Sequence, residues 1–236
     1  MNWVPRNKNE LQPGNIDLRM SVIEKLAPTR NLTTLAYESI KRYILEGDLD
    51  EESRLTEDFL SGQLGISKSP VREALNTLQG EGLVRIEPRR GAYLRRFSIK
   101  EVQDLYDLRE TLEAHAVATA KVTPELLASL EGSIGRTKKW LKAGDKLRHI
   151  EEDTRFHGSI ADASGNRELS RVLSNVQNQI WLFRCKTYRL SSTTAPGAHR
   201  AILDALSANS KKAAEAAMRE HIRLVRNRLI AHLKDQ

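Results

Sequence analysis

Four polar residues in the second half of the 236-residue chain have types and spacings that could bind a metal ion: Asp153, His157, His199 and His221. Asp153 and His157 are four residues apart, so they lie on the same face of a helix. On a helical wheel each of the four shares a face with apolar residues, which predicts that all of them point into a core. One carboxylate and three imidazoles are costly to bury without partners, and this donor set suits Zn²⁺, Ni²⁺ or Mn²⁺. The alternative is that each histidine is a core residue hydrogen-bonded to a neighbour.

Arg109 is a candidate for binding a negatively charged ligand beside these four residues. It lies on the flank of an apolar stripe in a predicted helix. A guanidinium that faces a metal cavity can hold a carboxylate through two parallel hydrogen bonds. The alternative interpretation is an ion pair at the surface with Glu113, four residues further along the helix.

A second group of residues, at the start of a short predicted helix, has the chemistry of DNA recognition. Lys68, Ser69 and Arg72 occupy its first turn and a half, on the side opposite the apolar residues. A recognition helix places such side chains against base edges in the major groove, so we predict that these three residues contact bases. Residues 66–96 contain seven basic and three acidic side chains, a surplus that favours a polyanionic partner.

Arg89, Arg90 and Gly91 form the tip of a predicted β-hairpin that follows this helix. Val84 and Ile86 alternate with polar residues before the turn, which is the pattern of a short hairpin. The two arginines can reach a phosphate or the adjacent minor groove, and the glycine permits close approach of the backbone. The alternative for the two arginines is a solvated basic turn.

Local signals place these residues in a small domain of three helices and a hairpin. The apolar period from Thr33 predicts a first helix that ends at Gly47. Thr56 is a suitable N-cap for a second helix that ends at Gly65. Three helices followed by a hairpin predict a winged helix-turn-helix domain over residues 33–97.

Beyond Phe97 the sequence has only helical periods. They begin at Ser98 and Glu101, which can satisfy each other's backbone N–H groups as a capping box. We therefore predict an all-α bundle over residues 98–236, so that the whole chain is mostly α with a small β-hairpin wing. Its helices are expected near residues 99–121, 124–143, 146–163, 166–189, 197–208 and 211–233.

Composition excludes several classes of protein. With 29% charged and 39% hydrophobic residues, the chain can bury a core, and it has no apolar run of about 18 residues, as a transmembrane helix requires. Its start lacks the apolar stretch of a secretory signal, so we expect a cytoplasmic protein without membrane contact and with residues 1–32 as a flexible arm. Cys185 is the only cysteine. It cannot form an internal disulfide, and we expect it to be buried and structural.

The first part of the chain resembles the DNA-binding domain of GntR-family bacterial transcription regulators. The resemblance rests on three segments: LGISKSPVREAL at 64–75, EGLV at 81–84 and PRRG at 88–91. It implies binding to double-stranded operator DNA. Relative to the common pattern, Lys68 stands where arginine is usual, and Asp58 stands where many members have an arginine that contacts a phosphate or a base. These departures leave the operator sequence open.

The remainder, roughly residues 99–233, resembles the ligand-binding domain of the FadR subgroup of that family. The matching segments are DTRFH at 153–157, ASGN at 163–166, HRAILDA at 199–205 and AMREH at 217–221. In metal-binding members the matching Asp and three His coordinate a divalent metal, and the effectors are commonly small carboxylates that lie on or beside it. The resemblance therefore implies that Asp153, His157, His199 and His221 are metal ligands and that Arg109 anchors the effector.

These observations together predict a dimeric DNA-binding transcription regulator whose metal-containing domain, residues 98–236, senses a small organic acid. A dimer matches the two half-sites of a pseudo-palindromic operator, and effector binding would shift the population between two dimer geometries. Two alternatives stay open. A metal held by Asp and three His could belong to an enzyme that acts on a small carboxylate, or it could be purely structural in a DNA-binding regulator.

Overall fold

The computed structural model describes residues 31–46, 49, 53–184 and 187–235. Three predictions fall outside this part of the chain: the flexible arm before residue 31, the end of the first helix at Gly47 and the burial of Cys185. The described residues from Leu32 onward belong to one structural unit.

The N-terminal part of this unit, here called the winged-helix domain, contains three helices and a three-stranded sheet. In chain order its elements are α1 (Leu32–Glu46), β1 (Arg54–Leu55), α2 (Glu57–Leu64), α3 (Lys68–Gly80), β2 (Val84–Glu87) and β3 (Gly91–Leu94). The Thr56 side chain accepts a hydrogen bond from the backbone N–H of Phe59 and so caps α2. Gly65 ends α2 in the left-handed conformation, at φ 65°. Both caps agree with the sequence prediction.

The sheet has β3 in its centre, with β1 and β2 antiparallel to it on either side. β2 and β3 form the predicted hairpin, in which Val84 is opposite Leu94 and Glu87 is opposite Gly91. The sequence did not predict β1, whose Leu55 is buried in the core of the domain. That core contains apolar side chains from the helices and strands, including Ile40, Leu60, Val71, Leu78 and Leu83. The wing therefore packs on the three helices.

The rest of the described chain, here called the helical domain, consists of helices only. In chain order they are α4 (Ile99–Thr119), α5 (Pro124–Ala143), α6 (Lys146–Ala163), α7 (Arg167–Arg184), a short 3-10 helix (Tyr188–Leu190), α8 (Ala195–Ser207) and α9 (Lys211–Lys234). The predicted capping box is present, with the Ser98 hydroxyl accepting from the Glu101 N–H and the Glu101 carboxylate accepting from the Ser98 N–H. Among the described residues, no helix is long and apolar enough to cross a membrane. The predicted fold class, mostly α with a small wing, is confirmed.

The largest difference from the predicted helices concerns α7. The sequence predicts a helix over 166–189, whereas α7 ends at Arg184. The chain then forms the short 3-10 helix and a hydroxyl-rich turn, where Oγ1 of Thr194 donates to the backbone oxygen of Ser191 at 3.1 Å. Hydroxyl side chains that bond to nearby carbonyls compete with helical hydrogen bonding, so the chain turns before α8.

Helix α7 connects the helical domain to the winged-helix domain through side-chain hydrogen bonds. Nε1 of Trp181 donates to the backbone oxygen of Leu45 at 3.0 Å, and Nε2 of Gln179 donates to that of Glu81 at 2.9 Å. Gly82 has a φ of 73°, and a Cβ there would lie 3.0 Å from the Gln179 side chain. The close contact of α7 with the end of α3 therefore depends on glycine at this position.

Candidate functional site

The four candidate metal ligands come together from three helices of the helical domain. Helix α6 supplies Asp153 and His157, α8 supplies His199 and α9 supplies His221, and all four are buried. Their candidate ligand atoms lie within 4.8 Å of one another. Nε2 of His157 is 3.3 Å from Nε2 of both His199 and His221. Nε2 of His199 is 3.5 Å from Oδ1 of Asp153.

These contacts do not satisfy the hydrogen-bonding capacity of the four side chains. An imidazole nitrogen has either one hydrogen or one lone pair in the ring plane, so Nε2 of His157 cannot serve both of its imidazole neighbours. Oδ1 of Asp153 is buried and has no hydrogen-bond partner among the described residues. Unpaired buried polar atoms are costly, whereas a divalent cation could take all four side chains as ligands. The residues therefore fit a metal ion.

The surroundings keep Asp153, His199 and His221 in the protonation states that a cation requires. Burial lowers the pKa of His199 to about 3, and burial also lowers the pKa of His221. Burial alone would raise the pKa of Asp153, but the Arg184 guanidinium holds it well below its usual value. Neutral imidazoles and an ionised carboxylate are the forms that bind metals. At neutral pH the cluster is thus ready to accept a cation.

Glu113 on α4 supports one of the ligands, although the sequence predicts only a surface ion pair for it. Its carboxylate is buried, and one oxygen lies against Nδ1 of His157. The other oxygen accepts a hydrogen bond of 2.6 Å from Nε of Arg109. Although burial opposes ionisation, Arg109 and His157 lower the pKa of Glu113 to about 2. A carboxylate at the second nitrogen of a histidine fixes the ring orientation for metal binding.

Two arginines, Arg109 and Arg184, are buried beside the cluster. Arg109 does pair with Glu113, but the pair is buried and not at the surface, which corrects the surface interpretation. Its role as an effector anchor stays a prediction. Arg184, at the end of α7, donates a hydrogen bond to Oδ2 of Asp153. Sequence reasoning missed Arg184, although it follows Ile180 by four residues and so shares the buried face of α7.

A narrow cleft lies between α4, α6 and α7 beside the cluster. Its walls are formed by Arg109, Ile150, Thr154, Gln177, Ile180, Trp181 and Arg184. Nε2 of Gln177 is a buried donor that has no hydrogen-bond partner within the described ranges. The walls leave no room for a water-sized sphere, so a ligand would have to displace at least one side chain. The cleft offers two guanidinium groups and an amide donor, which is the chemistry of an anion site.

The candidate base-contacting residues lie on the outer face of α3. Lys68, Ser69 and Arg72 are exposed, whereas Val71 and Leu75 of the same helix are buried. This division into an apolar inner face and a polar outer face matches the sequence prediction. The outer face of α3 is therefore free of the core and able to meet a partner.

The wing tip is shaped by two residues with positive φ. Arg89 has a φ of 63° and Gly91 a φ of 107°, and the side chains of Arg89 and Arg90 are exposed. A Cβ on Gly91 would lie 3.2 Å from the backbone oxygen of Leu55 on β1. Nε of Arg54, also on β1, donates to the backbone oxygen of Arg90. Gly91 thus permits close packing of the wing against β1, and Arg54 is an unpredicted residue that holds the tip.

Comparison with known proteins identifies both halves of the chain. Residues 32–94 match the gntR family of bacterial regulatory proteins, and residues 104–224 match the FCD domain. The chain is 29% identical over 203 residues to the HTH-type transcriptional regulator YdhC of Bacillus subtilis (strain 168), covering 84% of this chain and 89% of YdhC. That relative is a regulator, which agrees with the prediction of a regulator and not an enzyme.

Two solved structures share the fold. One is a GntR transcriptional regulator from Rhodococcus sp. RHA1, with a TM-score of 0.75 and 20% identity, covering 84% of this chain and 97% of that one. The other is E. coli McbR/YncC, with a TM-score of 0.75 and 22% identity, covering 88% of this chain and 100% of that one. Each match covers more of this chain than either domain contains. Each therefore includes parts of both the winged-helix domain and the helical domain.

Proposed function

The chain belongs to the GntR family of bacterial regulatory proteins and has an FCD domain, and from this premise we propose a metal-dependent, carboxylate-responsive regulator. It binds a pseudo-palindromic DNA operator as a homodimer, because two half-sites require two recognition helices. A divalent metal occupies the buried cluster, and a small carboxylate binds beside it and changes the affinity for DNA.

The proposed DNA contacts divide by element. Lys68, Ser69 and Arg72 contact base edges from α3, and the exposed arginines of the wing contact phosphates. The support is the exposure of these side chains, together with the burial of the apolar residues on the opposite face of α3. Gly91 contributes indirectly, by allowing the wing to pack on β1.

The proposed metal ion is Zn²⁺, Ni²⁺ or Mn²⁺, with one ion per chain. Its ligands are Asp153, His157, His199 and His221, and Glu113 orients His157. The support is that all four side chains are buried, with candidate ligand atoms within 4.8 Å of one another, and that Oδ1 of Asp153 has no hydrogen-bond partner among the described residues. When bound, the ion supplies a positive charge and open coordination positions for an anionic ligand.

The observation that carries the effector proposal is the balance of buried charge. Arg109 and Arg184 are positive, Asp153 and Glu113 are negative, and all four are buried around the cluster. Without a metal these charges cancel. A divalent ion bound by neutral imidazoles leaves two uncompensated positive charges in a region where unpaired charge is costly. A small carboxylate, and best of all a dicarboxylate, restores neutrality.

Helix α7 is the proposed route from the effector to the DNA. Gln177, Ile180, Trp181 and Arg184 on this helix line the cleft, and Trp181 also donates to the backbone of Leu45 in the winged-helix domain. A ligand that enters the filled cleft must displace at least one lining side chain, and four of the seven lining residues belong to α7. Such a displacement would shift the contacts of α7 with the winged-helix domain, and it would thereby give the effector different affinities for two domain arrangements.

A second candidate function has a specific observation in its favour. Because the cleft leaves no room for a water-sized sphere, the metal could be purely structural, with DNA binding that no effector controls. The two candidates differ in one measurable respect. Only the effector-responsive regulator gains stability from a small carboxylate in a metal-dependent manner.

The metal is tested by elemental analysis of the full-length protein after reconstitution with each of the three ions. We expect about one ion per chain and loss of it in His157→Ala and in His221→Ala. His115→Ala is the control, because His115 is exposed on α4 and should not affect binding. Absence of bound metal in the reconstituted wild type would overturn the proposed metal centre.

The effector is tested by thermal unfolding with a panel of mono-, di- and tricarboxylates, followed by titration of operator DNA with each compound that stabilises the protein. Stabilisation should require the metal and Arg109, and Arg109→Ala should abolish it. Arg226→Ala is the matched control, since Arg226 pairs with Asp107 at the surface. Equal stabilisation of the metal-free protein and of Arg109→Ala would exclude this cleft. No stabilisation by any compound would favour the structural metal.

A further inference from the structure

Both cations on the outer face of α3 are paired with acidic residues of α2. Nε and Nη2 of Arg72 donate to the two carboxylate oxygens of Glu57, at 2.8 and 2.6 Å. Nζ of Lys68 lies 2.5 Å from Oδ1 of Asp58. The four side chains form one group at the surface, here called the α2–α3 charge cluster. It sits on the face that the proposed function turns toward the bases.

The fold places the two acidic residues where they are stabilised as anions. Glu57 and Asp58 occupy the first turn of α2, directly after the Thr56 N-cap. The N-terminus of a helix favours negative charge. The hydrogen bond from Arg72 lowers the pKa of Glu57 further, although burial opposes it. Glu57 is therefore held as an anion beside Arg72.

The Glu57 contact decides which edge of the Arg72 guanidinium is available. A guanidinium has five N–H groups in a fixed plane. Glu57 uses the edge formed by Nε and Nη2, so the second edge, formed by Nη1 and Nη2, takes no part in this contact. A guanine has two acceptors in the major groove, O6 and N7, and they can accept two parallel hydrogen bonds from one edge of a guanidinium. Glu57 thus holds Arg72 in a geometry suited to one base.

The charge cluster also limits attraction to phosphates. Two carboxylates cancel the two cations, so the cluster as a whole is neutral. Affinity for any DNA sequence comes mainly from cations that neutralise phosphates, whereas discrimination comes from base edges. A neutral cluster adds little to sequence-independent binding. Binding at this cluster therefore depends on contacts between base edges and the side chains that the carboxylates hold in place.

We propose that Glu57 and Asp58 are specificity-determining residues for the operator, Glu57 by holding Arg72 for a guanine and Asp58 by neutralising Lys68 against phosphates. This inference rests on the proposed base-contacting role of Lys68 and Arg72. The competing interpretation is that both pairs are surface ion pairs of little energetic value, as many exposed pairs are. The experiment separates these interpretations.

The test uses the full-length protein and two duplexes of equal length. One is selected by the wild-type protein from a randomised pool, and the other is an unrelated sequence. Affinities are measured at several salt concentrations for the wild type, Glu57→Gln, Glu57→Asp and Asp58→Asn. Glu73→Gln is the charge-matched control, because it also removes one negative charge from the domain but contacts Thr33 and not the charge cluster.

The expected result is a loss of discrimination without a loss of DNA binding. Relative to Glu73→Gln, the ratio of specific to non-specific affinity should fall by a factor of about 2–10 for Glu57→Gln, the range expected when one long side chain loses its ordering. Asp58→Asn should strengthen binding to the unrelated duplex and steepen its salt dependence by about one unit. Glu57→Asp keeps the charge but is too short to hold Arg72, so discrimination should fall while the salt dependence stays unchanged.

One outcome would contradict the specificity role of Glu57 and Asp58, and another would contradict the base-contacting role of α3. If Glu57→Gln and Asp58→Asn behave as Glu73→Gln does, the two acidic residues do not determine specificity and the inference is wrong. Arg72→Ala serves as the reference for the proposed function itself. If Arg72→Ala discriminates as well as the wild type, the base-contacting role of α3 is wrong, whatever the acidic variants do. All these residues are exposed or half-exposed, so the variants should fold, which circular dichroism checks.

Discussion

Replacing Glu113 with glutamine should weaken metal binding although Glu113 is not a proposed ligand. The substitution keeps the size of the side chain and an oxygen acceptor for Nδ1 of His157, but it removes the negative charge. The charge matters because Glu113 is buried between His157 and Arg109. In the variant, a buried guanidinium without its counter-ion faces the place where a divalent cation binds.

The magnitude follows from two effects of the same sign. Loss of a carboxylate that supports a metal-bound histidine typically weakens metal affinity about 10–100-fold, which corresponds to about 1.4–2.7 kcal/mol. The uncompensated charge of Arg109 adds repulsion, so the upper end of this range is expected. The same substitution should destabilise the fold by about 3–5 kcal/mol, because it leaves one partner of a buried ion pair alone. Replacing Arg109 with methionine in addition should restore stability but not metal affinity.

The assay is competition for Zn²⁺ between the metal-free full-length protein and a chromophoric chelator at pH 7.5. It is run at a temperature where circular dichroism shows the variant to be as helical as the wild type. Glu110→Gln is the matched control. Glu110 lies one turn earlier on α4 and pairs with Arg219 and Arg223 instead of the cluster. A Glu113→Gln protein that binds Zn²⁺ within a factor of about two of the wild type would refute the reasoning, because tenfold is the smallest loss expected for such a residue.

Three further predictions follow from the same structure. Arg89→Ala should weaken binding to all duplexes alike and lower the salt slope by about one unit, measured by titration at several salt concentrations; a loss confined to one sequence would contradict a phosphate contact. In the metal-free protein, burial lowers the pKa of His199 to about 3 and also lowers the pKa of His221, so the unfolded state binds more protons than the folded state below the usual histidine pKa of 6.5. The free energy of unfolding should therefore fall by about 1 kcal/mol per histidine for each pH unit below 6.5. Urea unfolding at pH 7.5, 6.5 and 5.5 measures this, and a flat profile would contradict a buried neutral imidazole. Trp181→Phe removes the donor to Leu45 and should reduce the effect of an effector on operator affinity while effector binding persists; unchanged coupling would exclude this contact as the route.

The elements of the fold were largely predictable, because their signals are local. Helix α2 begins after Thr56 and ends at Gly65, and α4 begins with the capping box of Ser98 and Glu101. Each of these caps is a hydrogen bond between residues only a few positions apart in the chain. The 3-10 helix at Tyr188–Leu190, which replaces the end of the predicted 166–189 helix, was missed because no Gly or Pro marks a break there. The exact domain limits at residues 33, 97 and 98 stay predictions.

The candidate ligands were also predictable, for a different reason. A helical wheel gives the direction of a side chain relative to its own helix axis, so Asp153 and three histidines could be assigned to inward faces. The wheel does not show which residues of the other helices face each of these side chains. Their metal-binding role stays a prediction, as does the DNA-contacting role of the residues on α3 and the wing.

Partners that are distant in sequence were decided by tertiary packing. Glu113 on α4 meets His157 on α6, and Arg184 at the end of α7 meets Asp153, although sequence alone offered Glu113 only as a surface partner of Arg109. Between α2 and α3, the Glu57 and Asp58 contacts likewise depend on the angle between two helices. Amino-acid order specifies which faces are apolar and where each helix starts. The identity of the facing residue depends on how the helices pack, because crossing angles and helix ends are set by the whole core.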